Sequence, residues 1–286
     1  MLTRLLSIPL LLITTLASQG HEFAGHSNKD NTPSKVIGAE LYFGKYGYWH
    51  SGTAVEFSLN ETTAIAFGAH VVQEETGAKE VPSYELELIH KLPNELEIEV
   101  FGFGYTEVEQ KQAWGAGLRA TKRFRLKKGI SVAPFFGPAY AHVKASDETT
   151  AEITSVNHMM LLGGLTLEAG PVNVTLLGSH SFYDHDPSGL ETPVDLESMT
   201  HFAAYENNDG FARDTIAVEF TWNATQWLTV NTRYAVMWFD TETRHAIAIT
   251  PAVKLGEHVE LTAGMQFLRG GEEENNLVFS GVSVSF

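Results

Sequence analysis

The sequence predicts an all-β chain: a transmembrane, antiparallel, up-and-down β-barrel of about 14 strands with its bulky face turned to lipid. Three observations carry this. Period-two alternation of bulky apolar with small or polar residues recurs from Val36 to Phe286. The connections between these segments are alternately short and long. Beyond the amino terminus, no stretch approaches the roughly 18 consecutive apolar residues of a membrane helix.

Residues 1–20 read as a secretory signal peptide. Arg4 is the only charge there, and Leu5 to Leu16 is apolar apart from Ser7, Thr14 and Thr15. Thr15-Leu16-Ala17 and Ser18-Gln19-Gly20 both offer small-residue cleavage sites, so the cut position stays open. Residues 21–35 read as a polar, flexible lead-in containing His21 and His26, and 36–286 as the barrel. No cysteine occurs anywhere, so stability must come from packing or from a membrane.

The strands follow in order. Ile37, Ala39, Leu41 and Phe43 share a face, as do Thr53, Val55, Phe57 and Leu59 on the second segment. Ile65, Phe67, Ala69 and Val71 follow a turn at Asn60-Glu61. Tyr84, Leu86 and Leu88 alternate with Glu85 and Glu87, and Leu96, Ile98 and Val100 with Glu95, Glu97 and Glu99. Trp114, Ala116 and Leu118 alternate with Gly115, Gly117 and Arg119. In the stretch 130–140, Pro134 and Pro138 remove ladder donors and predict a local distortion. The 158–168 run is almost wholly apolar, so its facing stays open. Segments at 172–176, 216–222, 228–238, 247–253, 259–267 and 276–286 complete the set, and 12 to 16 strands are compatible with the pattern. Trp222, Trp227 and Phe286 fall at one rim, and Tyr140, Trp238 and Phe267 near the other, as interfacial girdles would.

The chemistry lies on the polar parity. A charge facing hydrocarbon is costly, so Glu40, Glu56, Glu87, Glu97, Glu99, Arg119, Arg123, Glu219, Arg233 and Glu260 are expected to face a lumen. Folding the fourth segment onto the fifth about Pro93 puts Glu87 opposite Glu99. Folding the fifth onto the sixth puts Glu99 beside Arg119, Glu97 beside Thr121 and Glu95 beside Arg123. Two readings stay open: a constriction that selects small polar or ionic solutes, or a closed barrel filled by paired polar side chains.

The net charge of −16, from 35 acidic and 19 basic residues, argues against nucleic acid as a partner. The connection 183–214 and Glu272-Glu273-Glu274 are acidic, which suits a solvated face with non-specific divalent cations or a bridge to lipopolysaccharide phosphates. The 181–210 stretch also holds Phe182, Tyr183, Leu190, Phe202 and Tyr205, enough apolar surface to fold inward as a plug. No cofactor motif, specific metal spacing or catalytic signature is present. Gly178-Ser179-His180-Ser181 lacks the geometry of a lipase site, because adjacent strand residues point to opposite faces.

The last strand ends on Phe286, with Val282 and Val284 on the same parity. This resembles the closing strand and assembly signal of bacterial outer-membrane β-barrels, and the whole pattern resembles porin-like members of that class. The resemblance implies a Gram-negative outer membrane, insertion by the barrel-assembly machinery, lipid and lipopolysaccharide as partners, and passive diffusion of small solutes. A closed barrel with a structural, adhesive or lipid-binding role is the alternative, and a lipase-like hydrolase a remoter one.

Overall fold

In a computed structural model, the chain is described over residues 35–44, 49–73, 80–107, 112–147, 152–187, 190–191, 212–239, 242–270 and 276–286. The expected signal peptide, the lead-in with His21 and His26, most of the acidic 188–211 connection and Glu272 to Glu274 lie outside these residues.

Sixteen strands are present among the described residues: β1 (Lys35–Phe43), β2 (Trp49–Asn60), β3 (Thr63–Gln73), β4 (Val81–Leu92), β5 (Leu96–Tyr105), β6 (Gln112–Lys122), β7 (Phe124–Lys127), β8 (Ile130–Asp147), β9 (Ile153–Ala169), β10 (Val172–Tyr183), β11 (Leu190–Glu191), β12 (Asp214–Asn223), β13 (Leu228–Trp238), β14 (Thr243–Leu255), β15 (Val259–Arg269) and β16 (Asn276–Ser285). Strand β7 continues β6 past a break at Arg123 and pairs with the same neighbour, β8. The two-residue β11 adds to the far end of β8. The wall is therefore a 14-strand antiparallel barrel with one extra strand. It is closed: β1 pairs with β2 on one side and with β16 on the other, while β8 pairs with β9. Backbone bonds from Lys35 N to Phe286 O and from Phe286 N to Lys35 O finish the seam. Closure leaves no bare edge in the wall, which is the condition for a sheet to sit in hydrocarbon.

Tight turns join β2–β3, β4–β5, β7–β8, β9–β10, β12–β13 and β14–β15 at one rim, hereafter the short-turn rim. Their conformations demand special residues. Gly170 and Gly256 sit at φ +63° and +84°, and Asn94 at +63° in the 3-10 turn Pro93–Glu95. That turn also corrects the expected register. The turn centres on Asn94 rather than Pro93, so Glu87 faces Phe101 instead of Glu99, while Ile89 faces Glu99 and Lys91 faces Glu97. The slip is even, so every side chain keeps its face. The fifth-to-sixth register matches expectation, with Glu99 opposite Arg119 and Glu97 opposite Thr121. Near the prolines, β8 runs unbroken, but its ladder to β6 lapses for two pairs where Pro138 has no N–H to give.

The bulky parity faces out. Leu41, Phe57, Phe67, Leu86, Val100, Leu118, Leu176, Val218, Phe220 and Leu261 are exposed large apolar residues on nine strands around the wall. Trp222, Trp227 and Phe286 lie exposed near the short-turn rim, and Tyr140 and Trp238 near the opposite, long-loop rim. The unresolved facing of 158–168 is settled, since His158, Met160 and Leu162 are buried and Met159, Leu161 and Leu165 exposed.

One expectation needs correcting: the inner face is not small and polar throughout. Tyr42, Phe101, Phe103, Tyr105, Met160, Leu162 and Phe279 point inward and form a buried apolar cluster in the long-loop half. The cause is local. In Val100-Phe101-Gly102-Phe103-Gly104-Tyr105 the bulky residues change parity, leaving glycine on the outside. Across the ladder, Phe101 meets Gly117, Phe103 meets Gly115 and Phe279 meets Gly264. A Cβ at any of these three glycines would collide with the ring opposite. Each ring therefore lies flat over a bare stretch of the next strand, along the wall.

Candidate functional site

The short-turn half of the inner wall holds the charged residues expected there. Glu99 on β5 is 4% exposed and ion-pairs with Arg119 of β6 directly across the ladder. The Arg119 guanidinium also lies 5.8 Å from the centre of the Phe135 ring. A buried carboxylate of this kind depends on its cation, because neither water nor another donor replaces it at low dielectric cost. Next to this pair, Glu56, Ala66 and Glu87 occupy one row across β2, β3 and β4, which brings two carboxylates to either side of a small residue. Glu97 lies across from Lys91 and Thr121.

Arg123 is placed by the break between β6 and β7. It bridges to Glu168 at 2.7 Å, and Glu168 also accepts a hydrogen bond from Ser131. On the far wall Glu219 of β12 stands opposite Arg233 of β13, and Lys254 of β14 opposite Glu260 of β15. These residues are half-buried, as are Thr175, Asn231, Thr262 and Gln266 around them.

Of the ten residues expected inside, nine fall into this charged belt. Glu40 does not. It lies higher on β1, where the structure gathers His50, His70 and Glu85, which the sequence reading left unassigned. The residues are spread over four strands, so no linear spacing could reveal them. Their common parity with Glu40 was the one available signal.

At the closing strand, Val282 and Val284 face outward and Phe286 is exposed at the short-turn rim, bonded by its backbone to Lys35. His180 faces outward and bonds Asp214 Oδ1 through Nδ1 at 2.6 Å. Ser181 is buried on the opposite face, and in register His180 sits between Leu161 and Asp214, so among the described residues this His–Asp pair has no serine beside it on the outward face. On the long-loop rim Asp184 accepts hydrogen bonds from Asn157, through its backbone and side chain, and pairs with His185. Its slight burial works to raise the carboxyl pKa, but the His185 and Asn157 hydrogen bonds prevail and hold it at about 2.

Its structural neighbours are outer-membrane porins. OprD of Pseudomonas aeruginosa matches at 9% identity over 90% of this chain and 95% of that one, with a TM-score of 0.48. OccAB3 of Acinetobacter baumannii matches at 10% identity over 90% of this chain and 99% of that one, with a TM-score of 0.45. A loop-deletion mutant of OmpT, an outer membrane protein of Vibrio cholerae, matches at 11% identity over 90% and 99%, with a TM-score of 0.47. No protein-family model matches the sequence, and no curated protein matches it. The barrel assignment stands on the strand pairings of this chain itself.

Proposed function

We propose that the protein is an outer-membrane channel through which small polar or ionic solutes diffuse passively. The observation that carries this reading is the charged belt. Paired charges, Glu99–Arg119, Glu219/Arg233 and Lys254/Glu260, line the short-turn half of a closed wall, and all but Glu99 stay partly accessible. Carboxylates and basic groups set side by side on neighbouring strands make local fields along the wall that orient dipoles and sort ions. Among the described residues, Glu56, Glu87 and Glu97 add carboxyl groups to this belt beyond those in ion pairs, and the ionised ones favour cations.

Outside the wall, lipid covers the apolar belt, and lipopolysaccharide lies at the acidic long-loop rim with divalent cations as non-specific bridges. Export through residues 1–20 and insertion by the barrel-assembly machinery, with Val282, Val284 and Phe286 as its signal, belong to the same reading. So does a Gram-negative outer membrane as the location.

Single-channel recording in planar bilayers tests the function. Discrete conductance steps are expected, with a reversal potential of cation-selective sign under a salt gradient. A second reading, a closed barrel with a structural, adhesive or lipid-binding role, is favoured by the buried cluster around Phe101, Phe103 and Phe279. Folded protein that never produces steps would establish that reading instead.

A further inference from the structure

We propose that Glu40, His50 and His70 form a binding site for a divalent transition-metal ion of the zinc or copper class, built into the inner wall across β1, β2 and β3. The proposal holds whether or not the barrel conducts.

The geometry starts from the ladder. Glu40 of β1 lies opposite Gly52 of β2, and Gly52 lies opposite His70 of β3, so all three share one inward-facing row. Gly52 carries no side chain, and a Cβ there would collide with the His70 ring and crowd Glu40 Oε1. That bare position lets a carboxylate and an imidazole from strands two apart reach each other over β2. His50, two residues before Gly52 on the same face, completes the group. Its Nε2 is 3.2 Å from His70 Nδ1, and His70 Nδ1 is 3.9 Å from Glu40 Oε1. One donor atom from each of the three lies within 4.8 Å of the others. Four ligands held tetrahedrally at zinc–nitrogen distances sit about 3.4 Å apart, so small side-chain adjustments bring this set onto one ion. Two imidazoles and one carboxylate also form a donor set suited to zinc or copper rather than to calcium or magnesium.

The surroundings supply what such a site requires. Glu85 Oε1 lies 3.3 Å from His70 Nε2, on the far side of the ring from the donor group. A proton on Nε2 directed at Glu85 leaves the Nδ1 lone pair facing the ion, which is the carboxylate–histidine–metal arrangement that fixes the tautomer. Tyr42 donates its hydroxyl to Glu40 Oε2, orienting the carboxylate, and stacks on the His50 ring at 5.0 Å. Glu40, His50 and His70 are 7%, 1% and 6% exposed, so the group is sequestered from bulk water. Glu40 and Glu85 bring two carboxylates to this enclosed group, a setting that suits a dication. Three protein donors leave the fourth position to water or a small solute. In this place the ion links three consecutive strands.

The test uses the full chain without an affinity tag, refolded in detergent micelles, stripped with chelator and titrated with Co²⁺ and then Zn²⁺. The expected result is one Co²⁺ per barrel with the visible ligand-field bands of a four-coordinate site, displaced stoichiometrically by Zn²⁺. His50→Gln and His70→Gln should abolish those bands. Glu85→Gln should weaken Zn²⁺ binding by about 10–100-fold, as expected for loss of a partner that orients a ligand. Circular dichroism and heat-modified gel mobility verify that each variant has folded. His50→Gln serves as the deciding variant because it keeps the strand and the neighbouring Gly52 intact. Absence of stoichiometric binding would overturn the proposal. So would ligand-field bands that persist in both folded histidine variants, which would place the ion elsewhere, for example at His21 and His26.

Discussion

Toward the short-turn rim the inner wall presents Glu87, Glu97, Glu99, Arg119, Glu219 and Arg233 among threonines and asparagines, much of it half-accessible. Toward the long-loop rim the same strands present Phe101, Phe103, Tyr105, Met160, Leu162 and Phe279, nearly all buried. Strand β5 passes from one regime to the other within three residues, from Glu99 to Phe101. A barrel interior is thus free of the rule that its exterior obeys. Lipid requires bulky apolar groups along the whole height of the outer face. The inside need only satisfy its polar atoms, either by pairing and hydration or by having none. Where the wall chose rings, it also placed glycines at the positions the rings cover.

The sharpest way to probe this difference is to disable each half by its own mechanism. Arg119→Met strands Glu99 as a buried carboxylate and should destabilise the barrel by about 3–5 kcal/mol in urea-dependent refolding into vesicles. The double variant Glu99→Gln/Arg119→Met should recover a large part of that loss. In the other half, Phe101→Ala removes a buried ring and should cost about 3–4 kcal/mol by the same measurement. A small change on Phe101→Ala, combined with a large one on Arg119→Met, would mean that the ring cluster is a lining and not a core.

Gly117→Val attacks the seating of the ring. It forces a side chain against the Phe101 ring and Ala139, with an expected cost of about 1–3 kcal/mol. Combining it with Phe101→Ala should cost less than the two single changes together, since the space is then free.

Glu97→Gln should leave stability within about 0.5 kcal/mol, because Glu97 is partly solvated. It should instead move the reversal potential toward lower cation preference, an effect that fades at high ionic strength. The smallest expected effect is at the rim. Asp184, held at about 2, keeps its bonds to Asn157 as pH falls past the ordinary carboxylate range and loses them only near that value. A folded pKa below the unfolded one means that the contribution is complete at neutral pH and disappears as acid titrates the folded form. Amide exchange at Asn157 measured between pH 5 and about 2 reads this directly.

Much of this architecture was legible in the residues alone. The strand number, the outward parity of Leu41, Phe57 and Val218, and the Glu99–Arg119 pairing follow from alternation with a period of two and from the short connections. The register of β4 on β5 was not legible, because nothing in Pro93-Asn94-Glu95 fixes whether the turn centres on Pro93 or on Asn94. The inward rings were missed because alternation reports only that bulky and small residues exchange places, and β5 reverses that assignment midway along its length. The Glu40–His50–His70 group was hidden for a different reason. Its members meet only through a particular lateral register of three strands, with Gly52 as the gap between them.

The seam between β1 and β16 has a consequence for how the molecule comes into being. Until these two strands meet, the sheet is an open ribbon with two unsatisfied borders, each able to recruit a strand from another copy. The two partners are the first and last described strands, so the pairing that removes both borders bridges the longest stretch of chain and bears the largest ordering penalty. Hydrocarbon cannot accept such borders, so insertion and ring closure must proceed together. A defect confined to this seam would therefore show itself in the yield of assembled protein before it altered anything the finished barrel does.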